Sequence, residues 1–311
     1  MRPEETPAQD RPRPRRDSPQ ERTNQDRANQ ERANFRPRPE GRAVRTHADD
    51  QDDAPRSGHR GQEHRPSLPE APRGAVWLYG LHAVAAALAN PARRMRRLLV
   101  TDEAEAALAA RQQQPWPVSP ERVERSRLEH LLGRDVVHQG VALLSDALTP
   151  PTLAQALEHP GPVIVLDQVA DPRNVGAILR SAAAFGAAAV VVQERNAPEE
   201  TGALAKAASG ALETVPLLRA VNIARTLVAL KAAGCWVIGL DAGGLPLSGP
   251  ALAQRRVALV LGSEGEGLRR LTRDTCDEVV GIAMPGATGR LDSLNVSVAA
   301  AVALYELARR E

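Results

Sequence analysis

The chain has 311 residues, a formal net charge of +2 and 42% apolar residues, enough for two packed units and a tail but too nearly neutral for a strongly basic nucleic-acid binder. Two cysteines, Cys235 and Cys276, exclude a disulfide framework and do not stand at metal-ligand spacing; both sit beside apolar runs and read as small buried hydrophobes. No apolar run is long enough to span a membrane and no signal peptide is visible, so a cytoplasmic setting is expected.

Residues 1–73 are rich in Arg, Pro, Glu, Asp, Gln and Asn, and large apolar side chains are nearly absent. Such a segment cannot bury enough surface to offset chain entropy, so a disordered tail is expected, either an RNA-tethering arm or a solubilising one. Order is expected from Val76. His82–Leu88 reads as a helix ended by Asn90-Pro91, Arg97–Val100 as a strand, Asp102–Arg111 and Glu121–Leu132 as helices, and Gly140–Leu144 as a strand. These make a small α/β domain over residues 74–146. Arg93, Arg94, Arg96 and Arg97 form a basic cluster, suited to phosphate contacts or equally to a solvated helix end and turn.

Pro150, Pro151, Pro160 and Gly161 mark a linker at residues 147–161. Beyond it, strands at 162–166, 188–192, 236–240, 257–261 and 278–282 alternate with helices at 173–185, 201–213, 222–233 and 294–309. Short apolar strands alternating with helices predict a mostly parallel sheet covered on both faces, over residues 162–311. Ligands of such sheets sit at the carboxyl ends of the strands.

Three segments at or just after strand ends carry chemistry. In Leu166–Ser181, Asp171-Pro172 opens a helix with a capping carboxylate and a first-turn proline. Val175, Ile178, Leu179, Ala182 and Phe185 form its apolar stripe; Asn174 lies in its first turn, and Arg180 falls off the stripe, on a plain surface or facing a cleft. In Leu259–Leu268, Gly262, Gly265 and Gly267 have the wrong spacing for a dinucleotide fingerprint, which disfavours a nucleotide-binding oxidoreductase. They let backbone amides approach a small ligand, and Glu264 beside them is a ligand contact or an exposed acidic turn. In Ile282–Ala301, Ser293-Leu294-Asn295-Val296-Ser297 places polar groups at the start of an apolar helix, where Ser293 serves as a plain N-cap or faces a ligand.

The three segments, in this order, resemble the three motifs of the SpoU class of SPOUT RNA ribose 2'-O-methyltransferases, over roughly residues 76–311. The likeness is nearest to the bacterial subfamily that methylates a guanosine ribose in 23S rRNA, whose pattern Ser209–Leu217, Val221–Thr226 and His138-Gln139-Gly140 also match. The resemblance implies an α/β-knot, a trefoil-knotted and mostly parallel sheet, preceded by a small RNA-binding α/β domain at 74–146. It implies S-adenosylmethionine as cofactor, contacted at Gly262, Ile282 and Leu294. It implies catalytic roles for Asn174, Arg180, Glu264, Ser293 and Asn295, no metal, and a homodimer. His138 is read as a structural or contact residue, not a catalytic one. The loop between Met284 and Ser293 is longer than the family's usual one. A guanidinium holds its proton tightly, so Arg180 is expected to anchor the target phosphate and stabilise the developing ribose oxyanion rather than act as a base. Two further possibilities stay open, a tRNA ribose as the substrate and an RNA-binding protein without activity.

Overall fold

A computed structural model describes residues 71–195, 198–286 and 293–309. The expected disordered tail therefore falls almost wholly outside the described residues, as does most of the long loop after Met284.

The first part is a four-stranded sheet in the order β1-β4-β2-β3. It comprises β1 (Ala75–Tyr79), β2 (Met95–Val100), β3 (Pro120–Arg122) and β4 (Val141–Asp146), with helices α1 (Leu81–Ala89), α2 (Asp102–Ala109) and α3 (Arg125–Leu132). Strand β4 pairs antiparallel with β1 and β2, and β3 runs parallel to β2. The helix expected from Glu121 begins only at Arg125, because Pro120–Arg122 adds an edge strand to β2. An edge tolerates the missing proline N–H, and Arg97–Glu121 and Arg122–Glu105 ion pairs clasp it.

A short helix α4 (Leu153–Ala156), capped reciprocally by Thr152 and Gln155, leads to the second sheet. That sheet holds β5 (Val163–Leu166), β6 (Ala189–Gln193), β7 (Leu217–Ala220), β8 (Cys235–Pro246), β9 (Arg256–Leu261) and β10 (Glu278–Gly281). Their order is β10-β8-β9-β5-β6-β7 and every pairing is parallel. Its helices are α5 (Pro172–Ala184), α6 (Gly202–Ala208), α7 (Ile223–Ala232), α8 (Gly249–Leu252), α9 (Arg270–Thr275) and α10 (Val296–Ala308).

Both faces of this sheet are covered. Ile164 and Leu166 of β5 pack toward α5, α6 and α10, whereas Val163 and Val165 pack toward α4 and α7. That is the period of two expected of a strand buried on both sides. The first of these cores runs on without interruption into Leu78, Val84 and Leu98, so the two sheets share one apolar interior.

The helix expected over 201–213 breaks at Ser209 and Gly210, which adopt φ of 52° and 98°, and a single 3-10 turn (Ala211–Glu213) follows. Glycine accepts that backbone region readily, and a Cβ on Gly210 would also meet Ala86 at 2.8 Å. Strand β7 was not expected, since it is short, starts after Pro216 and carries an exposed Arg219.

Candidate active site

The site lies at the carboxyl edge of the parallel sheet. Strand β5 ends at Leu166, and Asp171 caps α5 by accepting the Arg173 N–H at 2.9 Å, with Pro172 in the first turn. Asn174 is thereby fixed one residue further on. Strand β9 ends at Leu261 and turns back at once. Gly267 donates its N–H to the Ser263 carbonyl at 3.1 Å, and a Cβ on Gly262 would lie 2.1 Å from the Gly267 carbonyl carbon and oxygen. Gly262 is thus required for the turn to fold flat on itself, and Glu264 stands exposed at its tip.

The third segment meets these two through Asn295. This residue, not Ser293, is the N-cap of α10, accepting the Ser297 N–H at 2.9 Å. Of the two readings of Ser293, the plain N-cap is thus excluded, and the cap falls two residues on, where Asn295 Oδ1 also takes the Ser297 hydroxyl at 2.6 Å. With Oδ1 committed to donors on both counts, the Asn295 amide must turn Nδ2 outward. That nitrogen donates to Glu264 Oε1 at 2.7 Å and to Asn174 Oδ1 at 3.2 Å, and Asn174 Nδ2 donates to Glu264 Oε1 at 3.1 Å. Two neutral amides thus grip one carboxylate oxygen, and among the described residues no hydrogen bond reaches Oε2. That second oxygen remains open as an acceptor toward solvent or a ligand.

Of the other residues singled out from sequence, Gly262, Ile282 and Leu294 follow β9, follow β10 and precede Asn295 respectively. Ile282 and Leu294 are half-buried. Ser293 is exposed and makes no side-chain hydrogen bond to a described residue. Arg180 does not join the Asn174–Glu264–Asn295 cluster. It lies six residues on along α5, which is about 9 Å down the axis and on another face. It is exposed and has no ion pair among the described residues.

One residue that shapes the site was missed from sequence. Asp167 is fully buried directly after β5, and its Oδ1 lies 2.6 Å from Arg269 Nη2. The guanidinium N–H is not aimed along that line, so the contact is ionic and not a directed hydrogen bond. Its Oδ2 accepts the Arg269 N–H at 3.4 Å, and the Asp167 N–H bonds to the Leu261 carbonyl. Asp167 therefore pins both ends of the Gly262–Leu268 turn, the far end through its carboxylate and the near end through its backbone N–H. Its signal in the sequence is a charged residue abutting four fully buried apolar ones.

The arginines at 93–97, open from sequence to phosphate contacts or to a solvated helix end, do not form one group. Arg93 is buried and ion-paired with Glu200 and Glu213, Arg96 pairs with Asp146, and Arg97 with Glu121. His138 is buried in the small unit with Nδ1 accepting the Gly140 N–H at 3.1 Å. Burial, then the nearby Arg125 and Lys206 charges, push its pKa down. Cys235 is buried and Cys276 half-buried, and burial raises both thiols, Cys276 to about 11. Among the described residues no group of three or more His, Cys, Asp or Glu is assembled that could hold a metal ion, and no helix is long and apolar enough to cross a membrane.

Two families match the chain, the SpoU rRNA methylase family over residues 161–305 and the RNA 2'-O ribose methyltransferase substrate-binding family over residues 77–151. The 23S rRNA (guanosine-2'-O-)-methyltransferase RlmB of Ralstonia nicotianae is 40% identical, over 75% of this chain and 95% of that protein. Its counterpart in Photobacterium profundum is 35% identical, over 75% and 97%. Among solved structures, the SpoU methyltransferase AviRb of Streptomyces viridochromogenes, in complex with AdoMet, superposes with a TM-score of 0.61 at 23% identity, over 76% of this chain and 89% of that one. A crystal structure of an RNA 2'-O ribose methyltransferase gives 0.60 at 25% identity, over 75% and 88%.

Proposed function

The chain belongs to the SpoU rRNA methylase family, and on that premise we infer that it transfers a methyl group from S-adenosylmethionine to the ribose 2'-oxygen of a guanosine in 23S rRNA. The observation that carries this is the hydrogen-bonded cluster of Asn174, Glu264 and Asn295, one from each motif, at the carboxyl edge of a parallel sheet.

The residues around the edge fit the cofactor. The Gly262–Gly267 turn offers backbone groups, while half-buried Ile282 and Leu294 offer apolar walls. When bound, S-adenosylmethionine supplies a methyl group on a sulfonium, an electrophile that needs no metal. The chain's own residues align and polarise. Asn174 and Asn295 fix the Glu264 carboxylate so that Oε2 faces the substrate and accepts a hydrogen bond from it. Exposed Arg180 anchors the phosphate of the target nucleotide and stabilises the charge that develops on the ribose oxygen, whose proton passes to solvent water. Ser293, exposed beside Leu294, contacts the reacting ribose.

Residues 74–146 are the RNA-binding domain, 147–161 the linker and 162–311 the catalytic domain in this reading, with residues 1–73 a tail. A homodimer is supported by α10, which leaves Val298, Val302 and Tyr305 exposed on one face while burying Val296, Ala300, Ala303 and Leu304 on the other. The trefoil threading is inferred from the family likeness alone; in the sheet, β10 follows β9 in sequence and pairs with the far edge of β8. A cytoplasmic setting is in keeping with an rRNA substrate.

The test is incubation with labelled S-adenosylmethionine and either unmodified 23S rRNA or total tRNA, followed by nucleoside analysis. Label is expected in 2'-O-methylguanosine from rRNA and is expected to vanish with Arg180→Ala. Label in tRNA alone would refute the substrate assignment.

A further inference from the structure

One polar cluster lies outside the active site and joins the two sheets. Arg93 follows α1 at the edge of the small unit, and its side chain is 0% exposed. Its Nη2 and Nε donate to the two oxygens of Glu213, on the 3-10 turn beyond α6. Its Nη1 donates to Glu200, at the approach to α6, and to the Asp146 carbonyl at 3.0 Å. Asn90 Nδ2 adds a bond to Glu213 Oε2 at 2.7 Å, and the Leu148 N–H donates to Glu200 Oε2 at 3.2 Å. The side chains of Glu213 and Glu200 are only 5% and 13% exposed. Burial works against the Arg93 charge, but the two carboxylates outweigh it and raise its pKa above the ordinary value.

The packing around this cluster continues to the motif helix. A Cβ on Gly202 of α6 would meet the Tyr79 ring at 2.3 Å and the Trp77 carbonyl at 2.4 Å, both on β1. On the other side, a Cβ on Gly176 of α5 would meet Ala207 Cβ and the Leu204 carbonyl of α6, each at 2.6 Å. Helix α6 is therefore pressed close between the Tyr79 ring and Trp77 carbonyl of β1 on one side and the turn of α5 that follows Asn174 on the other.

We propose that Arg93, with Glu213 and Glu200, is a positioning clamp that fixes the RNA-binding unit on the catalytic unit, so that RNA held by the first is presented in one orientation to the Asn174–Glu264–Asn295 site. This rests on the assignment of residues 74–146 to RNA binding. A bidentate guanidinium fork between two carboxylates sets direction as well as distance, which a point charge does not. The linker that carries Leu148 is drawn into the clamp, so it cannot act as a free tether. The clamp also gives a task to Glu213 within the Ser209–Leu217 segment, which the chemistry leaves unused.

The test uses the full chain and compares wild type with Arg93→Lys and Glu200→Gln. Glu200→Gln keeps the shape and removes one charge, so it serves if the lysine variant does not fold. Expected is a fall in kcat/KM for 23S rRNA of about 10- to 100-fold, the scale of a misplacement of about 1 Å. The Kd for S-adenosylmethionine should stay within about twofold. Amide exchange at Ala147 and Leu148 should quicken by about tenfold or more while β5 and β6 remain as protected as in wild type. Unchanged kcat/KM and exchange would overturn the clamp. A parallel loss of cofactor affinity would also overturn it, because the residue would then support the fold at large. A wild-type chain that binds rRNA without methylating it would refute the assigned activity instead, leaving exchange and RNA affinity to decide the clamp.

Discussion

Glu213 and Glu264 are both carboxylates held by side chains from remote segments, and they are held in opposite ways. Glu213 is sealed, and a guanidinium from 120 residues away neutralises it. Glu264 is open to solvent and is held by two uncharged amides. Removing a charge from water demands an opposite charge nearby, whereas an exposed carboxylate needs only orientation. The sealed cluster fixes two sheets against each other. The open one keeps an acceptor oxygen free, as a site that must meet a substrate requires.

The sharpest way to break the contrast is to delete each carboxylate. Glu213→Ala leaves Arg93 buried without its main partner and should destabilise the fold by about 3–5 kcal/mol. Glu264→Ala should shift stability by less than about 1 kcal/mol. Chemical denaturation of both variants checks this, and equal losses would erase the distinction. On the reactive side, Asn295→Ala removes the α10 cap and both grips on Glu264 and Asn174. Methyl transfer to 23S rRNA should fall by about 10²- to 10³-fold, as on losing an oriented hydrogen bond in a reacting site. Asn295→Asp sharpens the point, since it still caps the helix but cannot donate to Glu264. Its melting temperature should stay near wild type while activity is lost, and full activity would show that the bridge is dispensable.

Arg180→Lys should lower the rate by about tenfold if the planar fork grips a phosphate. A rate close to wild type would show that a point charge suffices. The smallest effect concerns a group outside both clusters. The Cys276 thiol is raised by burial to about 11, so the folded chain holds that proton more tightly than the unfolded one. Its contribution to stability is complete below the ordinary thiol pKa and is lost as pH rises toward 11. Melting curves across that alkaline window should be flatter for Cys276→Ala than for wild type.

Much of the catalytic sheet was legible because every strand but β7 holds a short apolar run, and α5 announces itself by Asp171-Pro172 and its stripe. Strand β3 was read as helix because its strand character comes from pairing with β2 and from ion pairs to Arg97 and Glu105, none of it local. Arg93 was grouped with its neighbours for the same reason. Charge is visible in a sequence, whereas burial against Glu200 and Glu213 depends on a contact made 107 and 120 residues later. The members of the candidate-site cluster were named through family likeness, but their hydrogen bonds to one another, and the choice of Asn295 over Ser293 as the cap, are properties of the fold.

The spacing of the cluster orders the assembly of the molecule in time. Asn174, Glu264 and Asn295 are separated by 90 and then 31 residues, and the last rides on α10, whose buried face completes the core against α5. A growing chain folds from its N-terminal side. The small sheet closes once β4 has been made, and the partners of Arg93 are made next. Only the docking of α10 brings Asn295 to the other two. The Asn174–Glu264–Asn295 cluster is therefore complete only when α10 has docked, and the chain up to β10 holds Asn174 and Glu264 without the amide that bonds to both.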